Sequence, residues 1–265
     1  MTNQFSNNAD KIKVIFSPTE EKPYIVIYKP RNLPSAPLSG DDKFNALAQA
    51  AELFPSILNV KGRKPIEYGL LHRLDTATDG LLVIAASQEC YDFISDQQRA
   101  GRFVKFYSAR CQAGRGKENR EQLEGFPVGE GPRANQSAKK IIATSYFRPF
   151  GLGGKEVRPV TQDSGKAALK KIGKAKLYTT EIEIKNESSD FVDVECKIVE
   201  GFRHQVRCHL AWAGLPIIND PIYNSCCKNQ LDKKNADNIM FSATKIQFEY
   251  PRGDLNSYEI AFTWT

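Results

Sequence analysis

Apolar residues follow two rhythms along this chain. In LYTTEIEIK and FVDVECKIVE they fall at every second position. In the latter, Val192, Val194, Cys196 and Ile198 share one face, and Asp193, Glu195 and Lys197 the other. That alternation predicts antiparallel strands with one wet side. PYIVIYKP, residues 81–86, RFVKFYSARCQ, KIIATSYF, KIQFEYP and SYEIAFTW also read as strands. Helical spacing appears in KFNALAQAAELF, which stops before Pro55. Ser87 is placed to cap a second helix running to about residue 100, with Cys90, Phe93, Ile94 and Gln97 on one face. RHQVRCHLAWAG predicts a third, with Val206, Leu210 and Ala213 inward and Gly214 closing it.

Between these runs the chain is polar. Residues 1–22 read as a flexible leader, and 23–265 as one domain. RNLPSAPLSGDD, LNVKGRKPIEY and NSCCKNQLDKKNADN read as loops. Residues 113–140 are rich in Gly, Lys, Glu, Gln and Asn and read as a mobile insertion or extended arm. The stretch RPFGLGGKEVRPVTQDSGKAALKKIGKAK is glycine-rich and strongly basic. No repeat is present. Strand pairs with scattered helices predict an α+β fold, a mixed and mainly antiparallel sheet flanked by helices and loops.

Composition narrows this picture only a little. With 265 residues, 41% of them hydrophobic, the chain can bury a full core. A net charge of +6 permits a polyanionic partner without requiring one. The N-terminal MTNQFSNNADK lacks the features of a secretory signal, and no apolar run is long enough to span a bilayer. The six cysteines form no C-x-x-C pair or metal-ligand spacing, so they read as free thiols in a reducing cytoplasm. Neither a metal cluster nor a dinucleotide loop is found, and no cofactor, metal or membrane partner is expected. The expected state is a monomer.

The chemistry concentrates in GLLHRLDTATDGLLVIA, residues 69–85. A polar hinge holding His72, Arg73, Asp75 and Asp79 separates two apolar runs. Taken alone it fits a turn, since Asp and Thr bond the local backbone and Gly80 can take a positive φ. A second segment, EGFRHQVRCHLAWAGLPIINDPIY, places Arg203 and Arg207 four apart, on one face of the predicted helix. Arg207 stands at the edge of the apolar stripe, where a planar guanidinium calls for a carboxylate. The hinge offers Asp75.

Four blocks together resemble the RluA family of RNA pseudouridine synthases. HRLDTATDGLL resembles its central motif H-R-L-D-x-x-T-S-G-L-L, and IVIYKPRNLPS its first. KFYSARC resembles the short motif with Lys and Tyr two apart. GFRHQVRCHLAWAGLPIINDPIY resembles the last, G-R-x-H-Q-I-R-x-H-L-x-x-x-G-x-P-I-x-G-D-x-x-Y. The blocks occur in family order. Asp79 stands where Ser is usual, Phe202 where Arg is usual and Asn219 where Gly is usual. The S4 RNA-binding domain of many relatives is not expected, which leaves RNA binding to the catalytic domain, residues 23–265.

The resemblance implies a pseudouridine synthase fold around a central catalytic cleft, and an isomerase that converts uridine to pseudouridine in ribosomal or transfer RNA. It makes Asp75 the catalytic carboxylate, Arg207 its orienting partner, and Tyr107 a base or stacking residue. Lys105 would support the ion network, and Leu74 and Val206 would line the uracil pocket. Arg73 would fill the space of a turned-out base, with His72 assisting or bonding the hinge backbone, and Arg203 would contact RNA. Basic segments at 61–64, 139–140 and 166–176 would hold phosphates. Two other functions fit part of the pattern. One is a non-catalytic RNA-binding or chaperone module; the other is a glycosidase using Asp75 and Asp79, although Asp79 reads better as the cap of the turn at Gly80.

Overall fold

The computed structural model describes residues 11–37, 39, 42–113, 123–127, 131–132, 139–173, 175–227 and 238–264. In chain order the first elements are β1 (Lys13–Phe16), β2 (Tyr24–Lys29), α1 (Ala46–Leu53), β3 (Asp79–Ala85) and α2 (Gln88–Arg99). Next come β4 (Val104–Gln112), β5 (Lys140–Phe150), β6 (Glu156–Val160), α3 (Lys166–Leu169) and β7 (Tyr178–Glu187). The last are β8 (Phe191–Ile198), α4 (Gln205–Trp212), β9 (Phe241–Glu249) and β10 (Leu255–Glu259). They form two compact units, one of Met1–Lys105 with Ser242–Thr263 and one of Phe106–Phe241 with Trp264–Thr265. The strands are mixed and mainly antiparallel, as the alternation predicts. Among the described residues no helix is long and apolar enough to cross a membrane.

In the first unit the strand order is β1-β2-β3-β9, with β10 on β9. β3 runs parallel to β9 and antiparallel to β2. Every residue of β3 is buried, as are Tyr24 through Ile27 of β2, so both faces of these strands are covered. This is why IVIY and GLLVIA are continuous apolar runs rather than alternating ones. On one face Tyr24, Val26, Leu81, Val83, Ile246 and Phe248 pack with Cys90 and Ile94 of α2. Each large apolar side chain buried there contributes about 1.5–3 kcal/mol. The helices begin where side chains cap them: Asn45 Oδ1 accepts from Ala48 N at 2.8 Å, and Ser87 Oγ from Cys90 N at 3.2 Å.

In the second unit the order is β4-β8-β7-β5-β6. Val192, Val194, Cys196 and Ile198 of β8 are all buried, on the face the alternation assigns inward. A second core gathers Phe126, Phe147, Val157, Tyr178, Cys208 and Tyr223. The helix α4 packs on β6 and β7.

Several expectations need correction. Lys13–Phe16 is not part of a leader: it pairs antiparallel with β2, Val14 opposite Ile27. Residues 1–10 lie outside the described residues. The basic glycine-rich stretch contains β6, because Arg158 is buried there rather than solvated. Its guanidinium lies 4.1 Å from the Phe150 ring centroid and donates to Glu124 O at 2.7 Å and to Glu156 Oε2 at 2.7 Å. Most of 113–140 lies outside the described residues, but 123–127 is no free arm: Phe126 is buried in the second core. LNVKGRKPIEY takes in the end of one short 3-10 turn, Pro55–Asn59, and the whole of another, Pro65–Glu67. Finally, α4 begins after His204, whose φ of +56° is left-handed, so Arg203 is outside the helix and shares no face with Arg207.

A candidate catalytic hinge and a buried arginine pair

The hinge is built between the ends of two buried strands. β2 ends at Lys29 and β3 begins at Asp79, with Lys29 opposite Gly80. Gly80 takes a φ of +126°, and a Cβ there would lie 2.2 Å from the Ala243 carbonyl oxygen. Only glycine lets β3 approach β9 at this point. The turn itself closes with Thr78 N donating to Asp75 O at 3.0 Å.

The residues on either side of Asp75 are clamped. Ser35 Oγ accepts from Leu74 N at 2.9 Å and donates to Leu74 O at 2.8 Å. On the other side Lys29 Nζ donates to Thr76 O at 3.3 Å, and also to Pro30 O at 2.8 Å and Leu33 O at 2.7 Å. Asp75 is half-buried between them. Burial pushes the Lys29 ammonium down to about 8, against the upward pull of the Asp79 and Asp75 carboxylates. Lys29 is fully buried, and no expectation from sequence gave it a role. The signal was present in YKP: a lysine ending a buried strand needs acceptors and an opposite charge.

Asp79 does not cap the turn. It opens β3, is buried, and spends both oxygens on structure. Oδ1 accepts from Arg31 Nε at 3.0 Å and Oδ2 from Tyr28 Oη at 2.6 Å. Burial and this carboxylate raise the Tyr28 phenol, so it remains a donor. A carboxylate so engaged is poorly placed to act as the second group of a glycosidase.

His72 bonds the backbone, as the plainer expectation for it has it. Its Nε2 accepts from Val83 N at 3.2 Å, and its ring packs edge-on to Phe103 at 5.4 Å. Burial, with the charge of Lys105, holds the imidazole well below its usual range and therefore neutral. Lys105 is itself buried, with Nζ 6.0 Å from the Phe103 ring centroid. Arg73 is exposed, and its Nη1 donates to Glu67 Oε1 at 3.1 Å. Leu74 is buried.

In the second unit, Arg207 and Asp220 form a buried bidentate pair. Nε donates to Oδ2 and Nη2 to Oδ1, both at 2.8 Å. Oδ1 also accepts from Ile222 N at 2.9 Å and Tyr223 N at 3.1 Å, which shapes the DPIY turn. Asp220 lies in the NDPIY end of the last block, and spacing along the chain does not single it out as a partner of this fork. Val206 is buried beside it. Tyr107 is buried and stacks on Phe241, centroids 5.2 Å apart and planes 10° apart. Alternation along β4 puts Lys105 and Tyr107 on one strand face. Arg203 is exposed and braces a loop: its Nη2 donates to Gly154 O and to Glu156 O. His209 is held neutral by burial, near 3, between Ser145 Oγ at 3.0 Å and Thr180 Oγ1 at 2.8 Å. Of the basic segments, Lys64 lies 3.5 Å from Glu67 and Lys176 lies 2.6 Å from Glu200, so part of this charge is internally paired.

Comparison with known proteins adds a second kind of observation. A family model described as RNA pseudouridylate synthase matches residues 23–212. A tRNA pseudouridine(31) synthase of Saccharomyces cerevisiae is 27% identical over 206 residues, covering 78% of this chain and 45% of the relative. An uncharacterized RNA pseudouridine synthase of Helicobacter pylori is 27% identical over 247 residues, 92% of this chain and 64% of the relative. The chain therefore spans less than two thirds of either relative. Among solved structures, human RNA pseudouridylate synthase domain containing 1 superposes with a TM-score of 0.61 at 14% identity. That match covers 97% of this chain and 85% of the human one, and it establishes the shared fold.

Proposed function

Since the chain belongs to the RNA pseudouridylate synthase family, we propose that it isomerises a specific uridine to pseudouridine in RNA, with Asp75 as the catalytic carboxylate. The observation that carries the assignment of Asp75 is the clamp on its two neighbours, Ser35 on Leu74 and Lys29 on Thr76. A reacting group gains from a backbone that is already held in place. Lys29 also sets a positive charge near the Asp75 carboxylate.

The reaction balances within the substrate. The N1–C1′ bond breaks, the uracil turns, a C5–C1′ bond forms, and the C5 proton leaves while N1 gains one. No electron is gained or lost overall. A carboxylate serves such a reaction by adding to the sugar or base, or by stabilising positive charge at the sugar. The family resemblance gives Tyr107 and Arg207 to the same chemistry, Tyr107 against the base and Arg207 as an orienting cation. Lys105 and Val206 support it. Arg73 occupies the space of the turned-out base. The substrate is ribosomal or transfer RNA, and the name of the yeast relative favours transfer RNA.

Tritium release from RNA labelled at uridine C5 tests this reading. The protein is expected to release tritium from a structured transfer or ribosomal RNA, and Asp75→Asn, nearly isosteric, to fold normally without doing so. Binding without release by the wild-type protein would favour a non-catalytic RNA-binding module. Free uracil among the products would identify a hydrolase, and turnover by the folded Asn variant would remove Asp75 from its role.

A further inference from the structure

We propose that Glu67 is a positioning residue for Arg73, holding its guanidinium ready for the space that a turned-out base vacates. The proposal rests on the pseudouridine synthase reading above and adds to it a residue that none of the four sequence blocks contains. Its basis is an asymmetry of burial. The Glu67 side chain is 10% exposed, whereas its partners Arg73 and Lys64 are 56% and 60% exposed. Both cations converge on one oxygen, Oε1, Arg73 at 3.1 Å and Lys64 at 3.5 Å. A pair between two exposed chains is weak and loosely oriented. Here the acceptor is desolvated, which strengthens its hold on a charged donor.

The carboxylate is also fixed by its backbone. Glu67 ends the turn Pro65–Glu67, where Pro65 locks φ. Its N–H donates to Lys64 O at 2.9 Å, and its carbonyl accepts from Leu70 N at 2.9 Å. The next residue, Tyr68, is left-handed with a φ of +42°. Gly62 lies so close to it that a Cβ would meet the Tyr68 carbonyl oxygen at 1.9 Å. Held in this way, Glu67 does not follow Arg73; Arg73 is drawn to Glu67. At its other end Arg73 joins Leu74, whose backbone Ser35 clamps on both sides. An exposed arginine two residues from Asp75 is thereby tethered at its backbone and at its tip. A side chain already ordered before RNA arrives loses less conformational freedom on entering the stack.

The test compares rates on a structured RNA and on a short unstructured strand with the same uridine. Glu67→Gln keeps the size of the side chain and removes its charge. It should slow the structured substrate about tenfold, equivalent to about 1.4 kcal/mol, and change the open strand less than about twofold. In an Arg73→Ala background the same substitution should add nothing, since it acts through Arg73. Equal losses on both RNAs would assign Glu67 to the fold alone and overturn the proposal. So would an undiminished loss in the Arg73→Ala background. A wild-type protein inactive on both RNAs would instead mark failure of the underlying synthase reading.

Discussion

Replacing Asp220 by Asn should destabilise the second unit sharply although it changes few atoms. The side chains of Arg207 and Asp220 are only 3% and 0% exposed, so water does little to replace an acceptor lost there. An amide offers one acceptor where the carboxylate has two. If the Asn oxygen keeps the Ile222 and Tyr223 N–H bonds, its NH2 group faces Arg207 Nε, donor against donor. If it turns toward Nε, those two backbone donors lose their acceptor. Removing one partner of such a buried pair costs about 3–5 kcal/mol. In a protein of this size that lowers the melting midpoint on the order of 10 °C. Trp212 and Trp264 both belong to the second unit, so tryptophan fluorescence during thermal or urea unfolding reports on it. Adding Arg207→Met removes the cation that the amide cannot match and should restore a large part of the loss. A cost below about 1 kcal/mol, or a double variant that is merely additive, would refute the claim that this pair is buried and coupled.

Two further outcomes follow from the hinge. Gly80→Ala should cost at least ~3 kcal/mol, because positive φ and a backbone clash at Ala243 act together; thermal unfolding within about 1 kcal/mol of wild type would contradict the close β3–β9 approach. Lys29 sets an alkaline limit, because its ammonium is lost as pH rises through about 8 and takes with it the positive charge beside Asp75. Between that value and 10.5 the unfolded chain binds more protons, so this group makes unfolding harder as pH rises. Turnover should therefore fall above pH of about 8 while Lys29 contributes no loss of stability; a limb that tracks unfolding would be evidence against the assignment.

What the sequence made legible depended on whether the cause was local. The face of β8 could be read because alternation is a property of neighbouring residues. Ser87 could be read because a cap needs only the next turn of helix. The hinge could be read because polar residues interrupt two apolar runs. β1 was hidden because four residues inside a polar N-terminus carry too little pattern, and only pairing with β2 makes them a strand. β6 was hidden because a buried Arg158 looks like a solvated one until Phe150, Glu124 and Glu156 surround it. The bond of Arg207 in α4 to Asp220 was hidden for the same reason: Asp220 meets it through the return of a loop, not through helical spacing. Arg203 misled because helical periodicity was extended through His204, where a left-handed residue ends it.

The charges around the hinge make sense only as a set. Asp79 stands where the resembling motif has Ser, which adds a carboxylate four residues from Asp75. Left alone it would repel Asp75 and carry a heavy burial cost. Arg31 and Tyr28 take up both its oxygens, and both come from the same end of β2. The same short segment, residues 28–31, also supplies Lys29, whose hydrogen bonds go to the carbonyls of Pro30, Leu33 and Thr76. Lys29 can therefore hold the hinge backbone with its N–H groups while its charge acts on Asp75 through space. A lysine bonded to carbonyls stabilises the charge of Asp75 and leaves its oxygens uncommitted by that lysine, which gives a physical reason for placing a fully buried cation beneath this turn.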